Sequence, residues 1–506
     1  MSRKLLVLPL LAVSGLVLAG CASATGTSAT EAGMESAADT DATVHLQVGL
    51  EPTSLDVSAQ SGASLEQLLI PNVYEGLVDA DGEGGFEPAL ATDWTVSDDG
   101  LTYTFTIRDD VAFHSGSPLT MDDVVWSLEA AAADDSLNPD AGLFAGIDEI
   151  TPVDDSTLEI TLASRDSDFL ESLTSNAGVI LEEGADVDLA NATNGTGPYT
   201  VTQWNQGSTI TLERNDDYWG EAPLNREVVF HYMTDATTAA NALLAGEIDV
   251  LTTTTADTLS MFEGDDAFTL TEGDSRSWMT LGFNNAVEPL NDERVRHAIR
   301  RAIDKDGLIE VLGGQATRVG SMASPADPWY EDLTDIDAYD PESARELLAE
   351  AGQEDLDLTF RVSNTYDTRI SEYVAAQLAE VGIDVTIEQM EFSSWLEQVF
   401  TGGDYEMTMV LHVAPALAKN YSNPDYYWNY DDATAQQLVA DAREALELEE
   451  RNEKLRELAR HISEQAVSDW LFSPTATIVA SADVTGFPVD GIANRLPVSG
   501  IQVAAR

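Results

Sequence analysis

The stretch Ser97-Asp-Asp-Gly-Leu-Thr-Tyr-Thr-Phe-Thr-Ile-Arg108 places a polar turn ahead of alternating apolar and polar residues. A period of two is typical of a strand that buries one face, so we predict a β-strand over Leu101 to Ile107. Downstream, Thr120 is followed three residues later by Asp123, the spacing of a helix capping box. We therefore predict a helix from about Asp122 to Ala132.

The same two periods recur through the rest of the chain. Val44 to Val48 alternates as a strand, and after about residue 270 helical and strand patterns follow one another. Asp340-Pro341 supplies a cap and a first-turn proline for a helix that Gly352 ends. Alternating helices and strands indicate an α/β lobe with helices packed on a sheet. Further predicted elements are a helix carrying Ile370, Val374, Leu378 and Val381, a short helix at Trp395, helices within 433–466, and strands at Ile383 to Ile387, Met407 to Val413 and Thr477 to Ala480.

The N-terminus has the organisation of a secretory signal. Arg3 and Lys4 precede an apolar run from Leu5 to Leu18, which is shorter than the roughly 20 residues of a spanning helix. The run ends in Leu18-Ala-Gly-Cys21, which resembles the lipobox of bacterial lipoproteins, and Cys21 is the only cysteine in the chain. We expect residues 1–20 to be a signal peptide, Cys21 to be lipidated and 21–41 to form a flexible tether. An ordinary signal with an incidental cysteine is the alternative.

Composition excludes several classes of protein. The formal net charge of −66 repels nucleic acid and anionic lipid, so neither is an expected partner. An apolar content of 43% indicates a globular body, and the charge favours a monomer. A single cysteine allows no internal disulfide and no thiolate metal site. The acidity reflects either an acidic, lysine-poor composition shared by proteins of the same lineage or adaptation to saline surroundings.

Catalytic signatures are missing from the sequence. It has no G-x-S-x-G, H-E-x-x-H, P-loop or G-x-G-x-x-G pattern, and its six histidines are scattered without metal-ligand spacing. We therefore expect no enzyme, no cofactor and no metal site. The more informative residues are four large rings after Asn423-Pro424, namely Tyr426, Tyr427, Trp428 and Tyr430. They suit a ligand that is part apolar and part polar, or else they fill an interface between lobes.

Eight segments, one of which contains the opening stretch, occur in order between residue 44 and the C-terminus. They are Asn72-Val-Tyr-Glu-Gly-Leu-Val78; Pro88 to Trp94 with Ser97 to Arg108; Val111 to Trp126; Gly195-Thr-Gly-Pro-Tyr199; Leu212 to Gly220; Gly246-Glu-Ile-Asp-Val250; Pro289 to Ile299; and Tyr339 to Arg345. Together they resemble the solute-binding lipoproteins of ABC importers for peptides and nickel, extracellular solute-binding family 5. Most of these residues are structural, since Gly and Pro set turns and Trp fills cores.

The resemblance implies an α/β fold of the two-lobed periplasmic-binding-protein type, class II, with an extra domain and hinged lobes around a central ligand cleft. Lobe I would comprise 42–84, 190–275 and 475–506, the extra domain 85–189, and lobe III 276–474. Two crossing segments, near Ser275–Asn284 and Trp470–Ala480, would form the hinge. Ligand would favour the closed form through contacts to both lobes.

The implied function is that of an extracytoplasmic receptor, anchored to the cell membrane by its lipid, which delivers peptides or peptide-like solutes to a permease with cytoplasmic ATPases. The same scaffold could instead take a metal chelate, an oligosaccharide or an opine-like solute. A lipid-anchored secreted hydrolase is the remote alternative, and the missing catalytic motifs count against it.

The resemblance also suggests site residues. Peptide-binding members hold the ligand α-amine with an aspartate after the Met407–Val413 strand, where this chain aligns Asn420, and Asp425 is the nearby alternative. A neutral side chain does not balance a buried ammonium, so recognition of a free amino terminus is in question. Arg361, with Arg369 second, is the candidate for a ligand carboxylate. The remaining ligand-binding candidates are Tyr74, Asn284, Asn364, Trp395, His412, Tyr427 and Trp428.

Overall fold

The computed structural model describes residues 39–60, 62–82, 85–133, 135–413, 417–490 and 495–505. The proposed signal, Cys21 and most of the tether lie outside these residues. Within the described ranges, no helix is long and apolar enough to cross a membrane.

The strands are short except for one near the C-terminus. In chain order they are β1 Thr43–Val48, β2 Val78–Ala80, β3 Phe86–Pro88, β4 Ala91–Val96, β5 Thr102–Ile107, β6 Ile147–Pro152, β7 Thr157–Leu162, β8 Tyr199–Asn205, β9 Thr209–Arg214, β10 Glu227–Tyr232, β11 Val250–Leu251, β12 Phe268–Asp274, β13 Ser277–Phe283, β14 Ala316–Thr317, β15 Leu356–Ser363, β16 Ile383–Met390, β17 Met407–Val413, β18 Ser468–Ser481, β19 Val484–Thr485 and β20 Gln502–Val503.

Helices begin where the sequence offers caps. The capping box at Thr120 is confirmed, since its Oγ1 accepts the Asp123 N–H and the Asp123 carboxylate accepts the Thr120 N–H. Asp340 caps its helix as expected, and Gly352 ends it in the left-handed conformation. The helices are α1 Ala63–Leu69, α2 Met121–Ala132, α3 Phe169–Leu173, α4 Ala236–Ala245, α5 Ala256–Leu259, α6 Glu293–Ala302, α7 Lys305–Val311, α8 Pro341–Ala351, α9 Thr368–Glu380, α10 Phe392–Trp395, α11 Leu417–Asn420, α12 Ala433–Glu444 and α13 Leu448–Glu464, with 3-10 turns at Ala141–Phe144 and Asn176–Gly178 and a π-helix at Leu396–Thr401.

A large mixed sheet has the strand order β16-β15-β17-β13-β18-β11-β1-β10-β9-β8, and β12 and β14 also pair with β18. We call β1 and β8–β11 the first half of this sheet, and β13 and β15–β17 the second half. The 14-residue β18 belongs to both, because Ser468–Phe472 pairs with β13 and Thr475–Ser481 pairs with β12. The predicted strand at Thr477–Ala480 is therefore only its last part.

Two chain segments connect the halves side by side. One is the link from β12 to β13 at Ser275 and Arg276, and the other is the middle of β18 at Ser473 and Pro474. Proline cannot donate to a ladder, and Pro474 lies where β18 leaves β13 and joins β12. Both links fall within the segments expected to form a hinge.

Separate hydrophobic cores lie along the chain. A four-stranded sheet, β4-β5-β7-β6, packs with α2 around Tyr103, Phe105 and Ile107, which confirms the strand predicted from the alternation. The first half of the large sheet has its own core around Val44, Leu46 and Val48. In the second half, β13 is buried on both faces, with Met279, Leu281 and Phe283 in one cluster and Trp278 in another.

Three of the resemblance segments converge on one buried carboxyl. Glu75 accepts hydrogen bonds from Tyr218 Oη at 2.7 Å, Thr196 Oγ1 at 2.8 Å and Trp219 Nε1 at 3.0 Å. Burial raises the pKa of Glu75 to about 7, although these hydrogen bonds oppose the shift. Gly195 allows this approach, because a Cβ there would lie 1.9 Å from the Val73 carbonyl oxygen. The segments Asn72–Val78, Gly195–Tyr199 and Leu212–Gly220 therefore build structure.

Candidate functional site

The segment that carries the predicted rings lies against the end of β13 and the start of β17, which are neighbours in this antiparallel pair. Tyr405 Oη donates to the Tyr427 carbonyl at 2.6 Å, and the Asn285 N–H donates to the Trp428 carbonyl at 2.9 Å. Asn429 then takes a left-handed conformation with φ of 51°. These contacts hold the segment against the end of β13 and the strand next to it. We call His412, Trp395, Tyr421, Tyr426, Tyr427 and Trp428 the aromatic cluster.

His412 joins this cluster to β13. Its Nδ1 lies 3.1 Å from Thr280 Oγ1 and its Nε2 lies 3.2 Å from Tyr427 Oη. Burial among the rings lowers the pKa of His412 to about 3, so the imidazole is neutral at physiological pH. Thr280 Oγ1 donates to the Trp278 carbonyl, so the network favours the tautomer in which Nδ1 donates to Thr280 and Nε2 accepts from Tyr427. His412 therefore contributes hydrogen bonds, and no positive charge, to this site.

The rings pack closely. Tyr427 and Trp428 have centroids 4.2 Å apart, and Trp428 stacks on Tyr421 at 4.9 Å with an interplanar angle of 5°. Trp428 is fully buried and Tyr427 is 3% exposed, whereas Tyr426 and His412 keep partly exposed surface. Ring–ring contacts of this kind add about 0.5–1.5 kcal/mol each beyond area burial. The cluster thus has a rigid interior and a partly accessible edge.

The two candidates for an ammonium partner differ in exposure. Asn420 ends α11 and is partly buried, whereas Asp425 is exposed. Burial raises the pKa of Tyr426 to about 12, and the nearby Asn420 amide partly opposes that shift. Asn420 therefore lies at the edge of the aromatic cluster. In the described part of the chain, no group of three or more His, Cys, Asp or Glu side chains could hold a metal ion.

Comparison with known proteins identifies the family. The family described as bacterial extracellular solute-binding proteins, family 5 Middle, matches residues 85–438. The chain belongs to this family. It is 30% identical over 412 residues to the probable ABC transporter periplasmic-binding protein SapA of Escherichia coli K12, covering 74% of this chain and 75% of SapA. It is 28% identical over 477 residues to the glutathione-binding protein GsiB of Pectobacterium atrosepticum, covering 88% and 91% of the two chains.

A solved structure shows the same fold. NikA from Brucella suis in complex with Fe(III)-EDTA matches 92% of this chain and 100% of its own, with a TM-score of 0.81 at 23% sequence identity. This family 5 solute-binding protein therefore has the two-lobed periplasmic-binding-protein fold with a mixed α/β sheet.

Several predicted site residues of this solute-binding protein have a structural partner for each polar group. Tyr74 is fully buried, and its hydroxyl accepts the Asn194 N–H at 3.4 Å. Asn284 donates to the carbonyls of Gly403 and Tyr405 at 3.2 and 3.1 Å. Trp395 is 2% exposed and donates through Nε1 to Thr408 Oγ1 at 2.8 Å. Tyr74 packs in the core of the first half of the sheet, a different hydrophobic cluster from that of the rings.

The predicted carboxylate-binding arginine is already paired. Arg361 on β15 lies 3.0 Å from Glu388 Oε2 and 2.7 Å from Asp404 Oδ2, and these carboxylates raise the pKa of its guanidinium. Arg369 is exposed and pairs with Asp367 at 2.6 Å. Asn364 is also exposed and donates to Glu391 Oε1 at 2.7 Å. None of the described contacts brings Arg361 or Asn364 into the aromatic cluster.

Two neighbours of the cluster were not among the residues predicted from the sequence. Trp278 pairs with His412 in the β13–β17 register and is 1% exposed, and Tyr366 Oη accepts the Leu411 N–H at 3.1 Å. Both contacts depend on which strands lie side by side. A single sequence does not show that pairing, whereas the cluster Tyr426 to Tyr430 is visible because its rings are close along the chain.

A second contact surface joins the region of the four-stranded sheet to α12 and α13. The Ser167 N–H donates to the Arg443 carbonyl at 2.8 Å, and the Arg443 guanidinium pairs with the Asp166 carboxylate. Arg451 pairs with Asp168 at 2.7 Å. We call these contacts the bridging pairs, because their partners are about 280 residues apart in sequence and belong to different hydrophobic cores.

Proposed function

We propose that this protein is the extracytoplasmic substrate-binding component of an ABC importer and takes peptides or peptide-like solutes. The observation that carries the proposal is the edge of the aromatic cluster at the carboxyl end of β17, next to the links between the two halves of the sheet. There His412 is neutral, Asn420 is neutral, and aromatic faces are partly accessible. Such a surface suits backbone amides and mixed apolar and polar side chains.

The proposed motion is a hinge closure. The two adjacent links, at Ser275–Arg276 and Ser473–Pro474, are short, and the hydrophobic cores on either side are separate. Ligand that contacts both sides would favour the closed form by its differential affinity for that form. The closed form would then dock on the permease. The boundaries of lobe I, the extra domain and lobe III given above are part of this proposal.

Peptide cargo is favoured over the alternatives by the site and by GsiB, the relative named for glutathione. A metal chelate, the kind of ligand bound in the NikA structure, is the second candidate because His412 lies at the cluster edge. We propose no catalytic role, in keeping with relatives that are solute-binding proteins.

Titration calorimetry with a random tri- to hexapeptide pool tests the cargo. We expect heat with saturation in the micromolar range, and native mass spectrometry of the purified protein should show co-purified masses spaced by amino-acid residues. Absence of heat together with binding of a chelate, sugar or opine-like solute would contradict the peptide proposal. Turnover of any compound in a hydrolase substrate panel would contradict the binding role itself.

The lipid anchor is proposed from the sequence alone. Cys21→Ala should release the protein from the membrane fraction while peptide affinity stays unchanged, because Cys21 precedes the first strand, β1, in the chain. Cys21→Ser gives a matched control for side-chain size. Retention of both variants in the membrane fraction would contradict lipidation at Cys21.

A further inference from the structure

Arg276 has an unusual backbone. It lies between β12 and β13 in one of the two links, with φ of 47°, a left-handed conformation that is uncommon for a residue with a Cβ. Its N–H donates to Asp274 Oδ1 at 2.7 Å, and the flanking Ser275 and Ser277 hydroxyls lie 2.8 Å apart. The Asp274 N–H in turn donates to Asp490 Oδ1 at 2.6 Å. The surrounding contacts thus fix a strained position, as they often do at ligand sites.

The Arg276 side chain has no partner among the described residues. Its Nε is buried without a hydrogen bond, and no carboxylate there lies within ion-pair distance of the guanidinium. Each other arginine in the described residues makes at least one side-chain hydrogen bond; Arg361, for example, pairs with two carboxylates. The chain contains 90 Asp and Glu against 24 Lys and Arg, so carboxylate partners are abundant. Arg276 is therefore the one arginine in the described residues whose guanidinium makes no hydrogen bond or ion pair with the protein.

A second donor lies two positions along the strand. Trp278 Nε1 is buried without a hydrogen bond, and Trp278 faces His412 across the β13–β17 register. Two residues of chain span at most about 7 Å, so the long side chain of Arg276 is within reach of a ligand at the edge of the aromatic cluster. Both unpartnered groups are donors, and a buried donor without an acceptor destabilises the ligand-free protein. An incoming acceptor would remove that destabilisation.

The acids around Arg276 do not supply this acceptor. Asp327 is the facing carboxyl, and burial raises its pKa while the charge of Arg276 opposes the shift. Its Oδ2 accepts the Ser324 N–H at 2.7 Å. Asp274 and Asp490 are held by the backbone hydrogen bonds of the link.

We infer that Arg276 binds a carboxylate of the ligand, with Trp278 Nε1 as an additional donor. Guanidinium matches a carboxylate with two parallel hydrogen bonds, which gives both affinity and orientation. The inference rests on the proposed function in that it places the ligand between the halves of the sheet. It adds that the cargo is a carboxylate-bearing solute, and that the carboxylate lies at the hinge.

The test compares ligands that differ only in this group. A peptide pool with free C-termini and the same pool with C-terminal amides are titrated into the wild type, Arg276→Gln, Arg276→Lys and the control Arg226→Gln, which removes an exposed arginine paired with Glu213. For the wild type and Arg226→Gln we expect amidation to weaken binding about 10- to 100-fold. For Arg276→Gln the difference between the pools should fall below about threefold, and Arg276→Lys should be intermediate. An amidation penalty that persists in Arg276→Gln overturns the inference, as does a wild type that binds both pools equally.

Failure of the peptide proposal gives a different result. If the wild type binds neither pool, the cargo is not a peptide, and Arg276 is then tested with an opine-like carboxylate and its methyl ester. Loss of discrimination between acid and ester in Arg276→Gln supports the inference, and unchanged discrimination overturns it. Circular dichroism and thermal melts of each variant show whether it is folded, and Arg276→Lys keeps the test available if Arg276→Gln does not fold.

Discussion

Two sets of ion pairs in this protein join similar side chains but differ in how exposed those side chains are to solvent. In the second half of the sheet, Asp469 lies 3.1 Å from Lys305 Nζ and 3.5 Å from Arg300 Nε, and the three side chains are 2%, 7% and 2% exposed. The bridging pairs are more exposed to solvent, since the Arg443 side chain is 53% exposed and that of Arg451 is 18% exposed. The first set connects β18 to α6 and α7 within one half. The second connects two separate cores.

The difference shows what each set can do. A buried pair is held by the cost of leaving one charge uncompensated, so it fixes elements that stay together. A pair near the surface is worth about 0–1 kcal/mol and is screened by salt, so it can form and break at small cost. We interpret the buried network as holding β18 to its helices, and the bridging pairs as a reversible contact that favours closure.

The largest effect is expected for Asp469→Asn. It leaves Lys305 and Arg300 buried without their shared carboxylate, which destabilises folding by about 3–5 kcal/mol. Lys305 depends on this carboxylate, because burial lowers the pKa of Lys305 while the charge of Asp469 opposes the shift. Urea unfolding at pH 7 measures the loss.

A double variant separates charge imbalance from lost packing. Asp469→Asn with Lys305→Met removes one charge of each sign and should recover at least half of the loss. The control is Glu449→Gln, whose exposed pair with Arg456 should contribute less than about 0.5 kcal/mol. Equal losses for Asp469→Asn and Glu449→Gln would remove the distinction between the two sets.

Glu75 sharpens the comparison, because it is buried among neutral donors and forms no ion pair within the described part of the chain. Its pKa is raised from 4.5 to about 7. Between these values the folded state holds the proton that the unfolded state has released, so the free energy of unfolding falls as pH rises. The stabilisation is complete below about pH 4.5 and is lost above about pH 7, a difference of up to about 3 kcal/mol.

The measurement is the difference between wild type and Glu75→Gln across pH 4 to 8. Other carboxyl groups titrate in both proteins, so the difference isolates Glu75. We expect the wild type to lose stability relative to Glu75→Gln as pH rises through this window. A constant difference would show that Glu75 has an ordinary pKa in the folded state. The control Glu87→Gln removes an exposed carboxyl on β3 and measures the effect of deleting a surface charge under the same conditions.

Local chemistry explains which parts of this protein the sequence could predict. The capping box at Thr120 and the helix from Pro341 depend on neighbours in the chain, so their patterns were sufficient. The sequence analysis missed the N-terminal part of β18, Ser468–Phe472, because this part is buried on both faces and shows no alternation. The aromatic rings were visible, but the unpaired state of Arg276 depends on which acids the fold brings near it. Pairing across distant strands decides that, and it leaves no mark in one sequence.

A smaller effect is expected for the bridging pairs. Arg443→Gln with Arg451→Gln should lower the free energy of unfolding by no more than about 1 kcal/mol for each pair. If these contacts favour closure, ligand affinity should fall about two- to fivefold, and adding salt to the wild type should have the same effect. Titration calorimetry at 0.05 and 0.5 M NaCl measures the ligand affinity of each variant and its salt dependence.

The control for the bridging pairs is Arg456→Gln, which breaks the 2.9 Å pair with Glu449. Both residues of that pair lie in α13, so the pair does not connect two cores. Its ligand affinity and salt dependence should match the wild type. If the double bridging variant also keeps wild-type affinity and salt dependence, the pairs have no role in closure and serve only as surface contacts.

The smallest effect is expected for Arg361→Gln. Arg361 holds Glu388 and Asp404 on the side of β15, and a guanidinium that already serves two carboxylates has little left for a third. Affinity for peptides with free C-termini should therefore stay within about twofold of wild type, and stability within about 1 kcal/mol. The same titration with Arg276→Gln is the informative contrast, because the Arg276 side chain pairs with none of the described residues. A tenfold loss for Arg361→Gln, with none for Arg276→Gln, would mean that ligand displaces the internal carboxylates and that pairing in the ligand-free protein does not identify the binding arginine.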